Sequence, residues 1–532
     1  MKNALKNLTG EIANTRYNGT PQNKRTPGRT DEVRNNAGGF VFGVTPQVRL
    51  ERFLILGTDG GTYYVSERKL TKDNAKFVLA LIKSDEQLVI DTLRAVADEN
   101  RAPKNSPSLF VLALLMHNAE NKAAVRALVP KVARTGTHLF EYAQYLKDLG
   151  GLGRAKRGSL ADWYTSKDDN QLAYQVVKYR QRDGWTHRDV FRLAHPKGVN
   201  VSIGDFVLGG PIKADRAEIE NTPEIIDGFK AMQRTTSAKE VVRVLNTYKA
   251  LPWETIPTQF LKDPDVWKTL FYNGALGQTA LIRNLKRFEE IGAFKDVKFA
   301  GDVAIALADG ERIVKGRVHP VQYANARGIL GKQHRGMNAK VLGALESGFY
   351  ESFKTVEPAG VPTMVSLDVS GSMTMYAPAG LVGLNCREAA ALMAMVTVRT
   401  EPYVVVNAFT TSLVTLNIGD ADSFETVLRK VSGLSFGGTD IAQPMVYAKS
   451  KGIDVDAFAV YTDNETWAGS VKPNVALKQY RDSRGRNARL VSVGMVSTGF
   501  TVADPKDAGM LDVVGFDSST PSVMANFFAG RV

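Results

Sequence analysis

VSLDVSGSM, residues 365–373, begins as a short β-rich apolar run and ends in an aspartate with serines two and four places further on. A buried strand that stops on a carboxylate, with hydroxyls just beyond it, reads as the first strand and loop of a βα unit. Working outward, TMVSLDV (363–369), YVVVNAF (403–409), DAFAVYTD (456–463), ARLVSVGM (488–495) and LDVVGF (511–516) read as further strands of this kind. GLNCREAAALMAMVTVR (383–399), DIAQPMVYAKSK (440–451) and NVALKQYRDS (474–483) carry helical spacing between them. Strands and helices in alternation predict a mostly parallel, doubly wound sheet with helices on both faces. Ligands on such sheets bind at the carboxyl ends of the strands, near the topological switch point.

Upstream of about residue 355 the period changes. DNAKFVLALIKS (73–84), EQLVIDTLRAVADE (86–99), SLFVLALLMHNA (108–119) and KAAVRALVPKVA (122–133) follow one another with short breaks. THLFEYAQYLKDL (137–149), AKEVVRVLNTYKAL (238–251), TALIRNLKRFEEIG (279–292) and AKVLGALESGFYESF (339–353) repeat the pattern. Apolar residues at three- and four-residue spacing make these helices. Short helices with tight turns predict a helix-pair solenoid of the HEAT type, with an irregular helical bundle as the alternative. TVEPAG (355–360) reads as a linker, and residues 1–37, rich in Asn, Gly, Thr and Arg, as a flexible basic arm. The expected organisation is therefore an arm (1–37), a helical part (38–355) and an α/β part (356–532).

Charge is distributed unevenly. The chain carries a net +13, but the first 360 residues hold 54 basic and 39 acidic residues (net +15) and the remainder 14 and 16 (net −2). A basic half of this kind suits a polyanion, most often nucleic acid; the alternative is a generally basic surface. No apolar run approaches a membrane span, and the first twenty residues lack the apolar core of a secretory signal. The single cysteine, Cys386, excludes an internal disulfide and points to a cytoplasmic protein without membrane partners.

Three elements at predicted strand ends supply oxygen donors: Asp368, Ser370 and Ser372 in the opening stretch, Thr439 in SFGGTD (435–440), and Asp463 in YTDN (461–464). Two carboxylates and three hydroxyls, with no sulfur or imidazole, form a set for a hard cation, Mg²⁺ first and Mn²⁺ second. Gly371, Gly437 and Gly438 would let these loops approach the ion. The plainer reading is that Ser370 and Ser372 cap the next helix. In order, the three elements resemble the metal-ion-dependent adhesion site of von Willebrand factor A domains.

In the basic half the informative stretch is VVKYRQRDGWTHRDVFRLAHPKG (176–198). Lys178 and Arg182 would share a helix face, Asp183-Gly184 would break the helix, and Thr186 with Asp189 reads as a capping box. The new helix would present its N-terminus to phosphate, lined by His187, Arg188 and Arg192, with Trp185 as a stacking surface for an unpaired base. Lys156 and Arg157, with Arg154, extend the basic surface. The alternative is that His187 packs against Trp185 and the charges form a solvated face. The six histidines show no catalytic spacing, and there is no P-loop, HExxH or CxxC.

GGFVFGVTPQVRLERFLILGTDGGTYYVSERKL (38–70), the 176–197 stretch, RVHPVQYANARG (317–328) and ALESGFYESFKTVEPAG (344–360) resemble the TROVE module of the Ro autoantigen family. LDVSGSM, GGTD, YTDNETWAG and GFTVADPKDAGMLDVVGFD resemble that family's von Willebrand factor A domain. The resemblance implies a ring of HEAT-like helices closed by the A domain. It implies a Y RNA on the outer surface and single-stranded 3′ ends of misfolded or precursor RNAs in the basic hole. It further implies work with an exoribonuclease such as polynucleotide phosphorylase in RNA quality control, ribosomal RNA maturation and survival of stress such as ultraviolet light. His187 matches the family's RNA-binding histidine, and Asp368, Ser370, Ser372, Thr439 and Asp463 match its metal set. The expected function is a non-catalytic RNA-binding scaffold. Two rivals are a metal-dependent adhesion module for which RNA is incidental, and a metal-dependent RNA-processing enzyme.

Overall fold

The computed structural model describes residues 20–530 except 36, 44, 57–71, 100, 101, 103, 104, 210–221, 334–337, 376, 377, 379–383, 435, 436, 464, 497–499 and 515–519. Residues 1–19 of the expected arm, His334, and Ser435 and Phe436 of the Gly-rich loop lie outside them. The strands, in chain order, are β1 (Glu32–Arg34), β2 (Phe40–Gly43), β3 (Gln181–Arg182), β4 (Trp185–Thr186), β5 (Thr363–Asp368), β6 (Val404–Phe409), β7 (Leu413–Leu416), β8 (Ala457–Thr462), β9 (Arg489–Gly494), β10 (Phe500–Thr501) and β11 (Met510–Val514).

The helical part starts at Pro46–Leu56 and ends at Ala339–Glu351. Its turns are short because side chains spell the starts: Asp85, Asn121, Thr135 and Asp168 each accept a backbone N–H of the helix that follows. Helices 86–98, 122–132, 154–165 and 187–194 pack one on the next in alternate order, the stacking of a helix-pair solenoid. The apolar run at 108–116 lies in the helix Ser106–Asn118 and is buried nearly throughout. No helix among the described residues is long and apolar enough to cross a membrane.

The α/β part holds a six-stranded sheet in the order β11-β9-β8-β5-β6-β7, parallel except for the edge strand β7. All six residues of β5 and of β8 are buried, as a strand covered on both faces requires. The chain leaves β5 for β6 on one side and returns to β8 on the other, so the switch point falls at the carboxyl end of the central strand.

Both ends of the helical array rest on this domain, which closes the ring. At the first end, Arg52 of helix 46–56 is buried; it pairs with Asp512 of β11 and donates to the Phe500 carbonyl at 2.9 Å. At the last end, Phe349 meets Phe424 with ring centroids 5.7 Å apart, and the Arg399 guanidinium sits 4.6 Å from the centre of the Tyr350 ring.

The described part of the expected flexible arm is built into the α/β domain. β1 and β2 form an antiparallel hairpin that pairs with β10. Arg29 makes two bonds to Asp504, at 2.5 and 3.0 Å, and Glu32 forms a buried ion pair with Lys472. The low apolar content of this stretch hid its place because polar partners far along the chain satisfy it.

Candidate functional site

Asp368, the last residue of β5, is fully buried. Its Oδ1 accepts the Ser370 N–H at 2.8 Å and its Oδ2 the Thr462 hydroxyl at 2.8 Å. The Ser370 and Ser372 hydroxyls lie 3.1 Å apart, and Ser372 is a polar neighbour of Asp463, which follows β8. Asp463 Oδ1 accepts the Glu465 N–H at 3.2 Å, whereas its buried Oδ2 has no hydrogen-bond partner. Thr439 is buried on the neighbouring loop, its carbonyl accepting the N–H of Trp467 and Ala468 at 3.0 and 3.1 Å. Asp368, Ser370, Ser372 and Asp463 thus lie together at the switch point, and Thr439 is on a loop whose backbone bonds to the one that follows Asp463.

Burial pushes the carboxyls of Asp368 and Asp463 above the ordinary carboxylate range, and at Asp368 the neighbouring charge of Asp463 adds to it. Two desolvated acids side by side, one with an orphaned oxygen, suit a cation that neutralises both. Among the described residues no group of three or more His, Cys, Asp or Glu side chains gathers to hold a metal, so the carboxylates stand with hydroxyls rather than with further acids. Gly437 and Gly438 have their use in close packing: a Cβ there would press on Thr410 and on the Trp467 indole.

In the helical part the residues singled out from sequence divide into surface and interior. Arg157, Arg182, Arg188 and Arg192 are exposed, the last two one turn apart on the helix His187–Ala194. Lys156 is buried, and its ammonium donates to the carbonyls of Leu146, Leu149 and Gly151 at 3.0–3.2 Å, closing the preceding helix. His187 is buried too. Its Nδ1 lies 2.9 Å from the Tyr164 hydroxyl, its ring stacks on Trp163 at 5.6 Å and packs against Phe140 at 4.7 Å, and its Nε2 has no hydrogen-bond partner. Burial lowers its pKa to about 3. Trp185 is also turned inward, donating from its indole N–H to Gln144 at 2.8 Å. The imidazole and the indole are therefore not laid out on the surface as the sequence reading expected.

Two further corrections concern this stretch. Lys178 and Arg182 do not share a helix face, because Asp169–Lys178 ends at Lys178 and Arg182 belongs to β3. Lys178 sits 3.2 Å from the Tyr174 hydroxyl and 3.7 Å from Glu254. The capping box is present, but its acid occupies the helix start: Asp189 accepts from the Thr186 N–H at 2.9 Å and hydroxyl at 2.6 Å, where a phosphate would otherwise lie.

Comparison with known proteins follows the same division. Residues 33–209 and 245–346 match the TROVE domain, and residues 363–528 match the Ro60 vWA domain. The RNA-binding protein RO60 of Deinococcus radiodurans is 39% identical over 531 residues, covering 96% of this chain and 98% of its own. The chain belongs to the Ro60 family. The RNA-binding protein RO60 of Caenorhabditis elegans is 33% identical over 600 residues, covering 96% of this chain and 92% of its own. The crystal structure of the Deinococcus radiodurans RO (RSR) protein superposes with a TM-score of 0.73 at 37% identity, covering 92% of this chain and all of that one.

In this Ro60-family chain the oxygen cluster has partners that its motifs do not announce. Arg387, at the start of the helix Cys386–Thr400, is buried, donates to the Val369 carbonyl and carries its charge towards Asp368. Asp440, the acid of GGTD, is pushed up to about 6 by burial and binds Gln443 and Gln22. The one signal in the sequence was the position of Asp440 beside Thr439; nothing local marked Arg387 or Gln22.

Proposed function

We propose that this chain is a non-catalytic RNA-binding protein of the Ro type. The observation that carries the reading is its membership, over nearly its whole length, of a family whose curated relatives are named RNA-binding proteins. The net +15 of the first 360 residues and the exposed Arg157, Arg182, Arg188 and Arg192 support it. These side chains bind phosphate oxygens and hold an RNA by its backbone and shape, without reading base edges. Lys178, at the end of its helix, adds a further cation. Lys156 and His187 act from inside, by fixing the helices that present the arginines.

On this reading the outer face takes a small structured RNA of the Y type, and the ring takes single-stranded 3′ ends of misfolded or precursor RNAs. The complex works in the cytoplasm with an exoribonuclease such as polynucleotide phosphorylase, in RNA quality control, ribosomal RNA maturation and survival of stress such as ultraviolet light. Asp368, Ser370, Ser372, Thr439 and Asp463 hold a divalent cation, Mg²⁺ or Mn²⁺. The orphaned Asp463 oxygen and the two desolvated carboxyls support that assignment. Such an ion supplies an open position for an acidic group of a partner. Two carboxylates are fewer than two-metal phosphoryl chemistry uses, which favours a scaffold over a nuclease.

The test is RNA affinity across a salt series, with the RNA recovered afterwards. Binding falls steeply with salt, the RNA stays intact in Mg²⁺, and Arg188→Ala and Arg192→Ala each reduce the slope of log K against log salt by about 1. RNA shortened in Mg²⁺ by the pure chain but not by Asp368→Ala would establish the processing enzyme instead. A protein partner released by chelator regardless of RNA would establish the adhesion module.

A further inference from the structure

The N-terminal segment that reads as a free arm reaches two of the three loops of the oxygen cluster, those of Thr439 and Asp463. Gln22 is fully buried; its Nε2 donates to Asp440 Oδ1 at 2.6 Å and to the Val471 carbonyl at 2.9 Å, and its backbone N–H donates to the Gly469 carbonyl at 2.8 Å. Its Oε1 accepts the hydroxyl of Thr466, which also lies 3.2 Å from the Thr439 carbonyl. Asn35 donates to the Thr466 carbonyl at 2.8 Å. The Ala37 N–H donates to Glu465 at 3.2 Å, and Glu465 in turn donates from its N–H to Asp463. Gly39 passes so close that a Cβ there would overlap the Thr466 carbonyl. One line of hydrogen bonds thus runs from the segment to Thr439 and another to Asp463.

We propose that Gln22 and Asn35 are positioning residues of the cation site, an intramolecular clamp of two side chains that holds the Thr439 and Asp463 loops in register. The proposal rests on the cation reading given above. The physical case is that neither loop is regular structure. The two loops meet where the Thr439 carbonyl accepts the Trp467 and Ala468 N–H groups, and Gln22 and Asn35 brace that joint from outside through Thr466, where Gln22, Asn35 and the Thr439 carbonyl come together. Groups that orient metal ligands from behind change metal affinity without touching the ion.

The experiment measures Mn²⁺ binding to the full chain, by electron paramagnetic resonance of free Mn²⁺ and by calorimetry, well below the melting temperature. Gln22→Ala and Asn35→Ala weaken Mn²⁺ binding by about tenfold or more. Gln22→Met keeps the volume, removes the hydrogen bonds and remains readable if Gln22→Ala fails to fold. Arg29→Ala loosens the same segment at its Asp504 contact and leaves Mn²⁺ affinity unchanged. Wild-type affinity in the Gln22 variants overturns the clamp and leaves the cation reading standing. Equal loss in Arg29→Ala also overturns it, since the segment would then be a general stabiliser. A wild-type chain that binds Mn²⁺ no better than Asp368→Ala overturns the cation reading and the clamp with it.

Discussion

His187 shows how one residue type supports opposite readings until its neighbours are known. In the sequence it stands between cations at the start of a helix; in the fold it is enclosed by Phe140, Trp163 and Tyr164. Removing a buried ring leaves a cavity, so His187→Ala lowers stability by about 2–4 kcal/mol. Arg188→Ala, one position on and exposed, leaves the melting temperature nearly unchanged while weakening RNA binding. Melting curves and RNA affinity measured together separate the two roles. Acid sensitivity follows from the same burial, which lowers His187 to about 3 and His138 and His319 to about 4. At these three histidines the folded chain then binds fewer protons than the unfolded chain below the ordinary histidine pKa. The histidines' contribution to stability is complete above about pH 6.5 and is lost as the pH falls towards 4, by ~1.4 kcal/mol per pH unit for each, while the raised carboxyls of Asp368, Asp440 and Asp463 act in the opposite sense. Denaturant unfolding of the chain and of His187→Ala at a series of pH values checks this: the stability difference between them shrinks as the pH falls from about 6.5 towards 4.

At the scale of elements, 181–194 is a hairpin and a helix joined at one residue. Asp183 and Gly184 both take positive φ, 49° and 81°, the tight turn that an Asp-Gly pair favours. Thr186 then ends β4 and caps the helix. Thr186→Ala removes the cap and one anchor of Asp189, and costs about 1 kcal/mol. Because the freed Asp189 no longer holds the helix start, the presentation of Arg188 and Arg192 loosens and RNA binding weakens, measurable by affinity at fixed salt. The turn and the capping box were legible because each depends on residues within a few places of each other. The two-residue pairing of β3 with β4 was not, since two residues show no period. For the same reason the two-residue β10 left no trace in the sequence, nor did the four-residue, partly exposed edge strand β7, whereas the wholly buried β5 and β8 stood out as apolar runs.

For the whole molecule, the deciding feature is the seam where the first helix meets β11. Arg52 and Asp512 form an ion pair buried on both sides. Removing one partner strands the other charge in the interior, so Arg52→Ala destabilises the chain by about 3–5 kcal/mol. Opening at this seam leaves the other contact, between Phe349 and Phe424, in place. The variant therefore has a larger hydrodynamic radius and earlier proteolytic cutting near the first helix, read by scattering and limited proteolysis. An unchanged radius and cutting pattern would show that the seam is held elsewhere.

The sequence by itself determined the succession of helices, the alternation of strand and helix after residue 362, the uneven charge and the oxygen donors at Asp368, Ser370, Ser372, Thr439 and Asp463. These depend on periodicity and on residue type at loop positions, which are local properties of the chain. Only the tertiary structure decided which side chains face water and which loops are braced. Lys156 and His187 look like surface cations until helix carbonyls and aromatic rings enclose them. Residues 20–35 look like an arm until Asp440, Thr466 and Asp504 supply their partners. In each case the deciding interaction joins polar groups that are not neighbours in the chain, and hydrogen bonds of that kind leave no periodic mark in the order of residues.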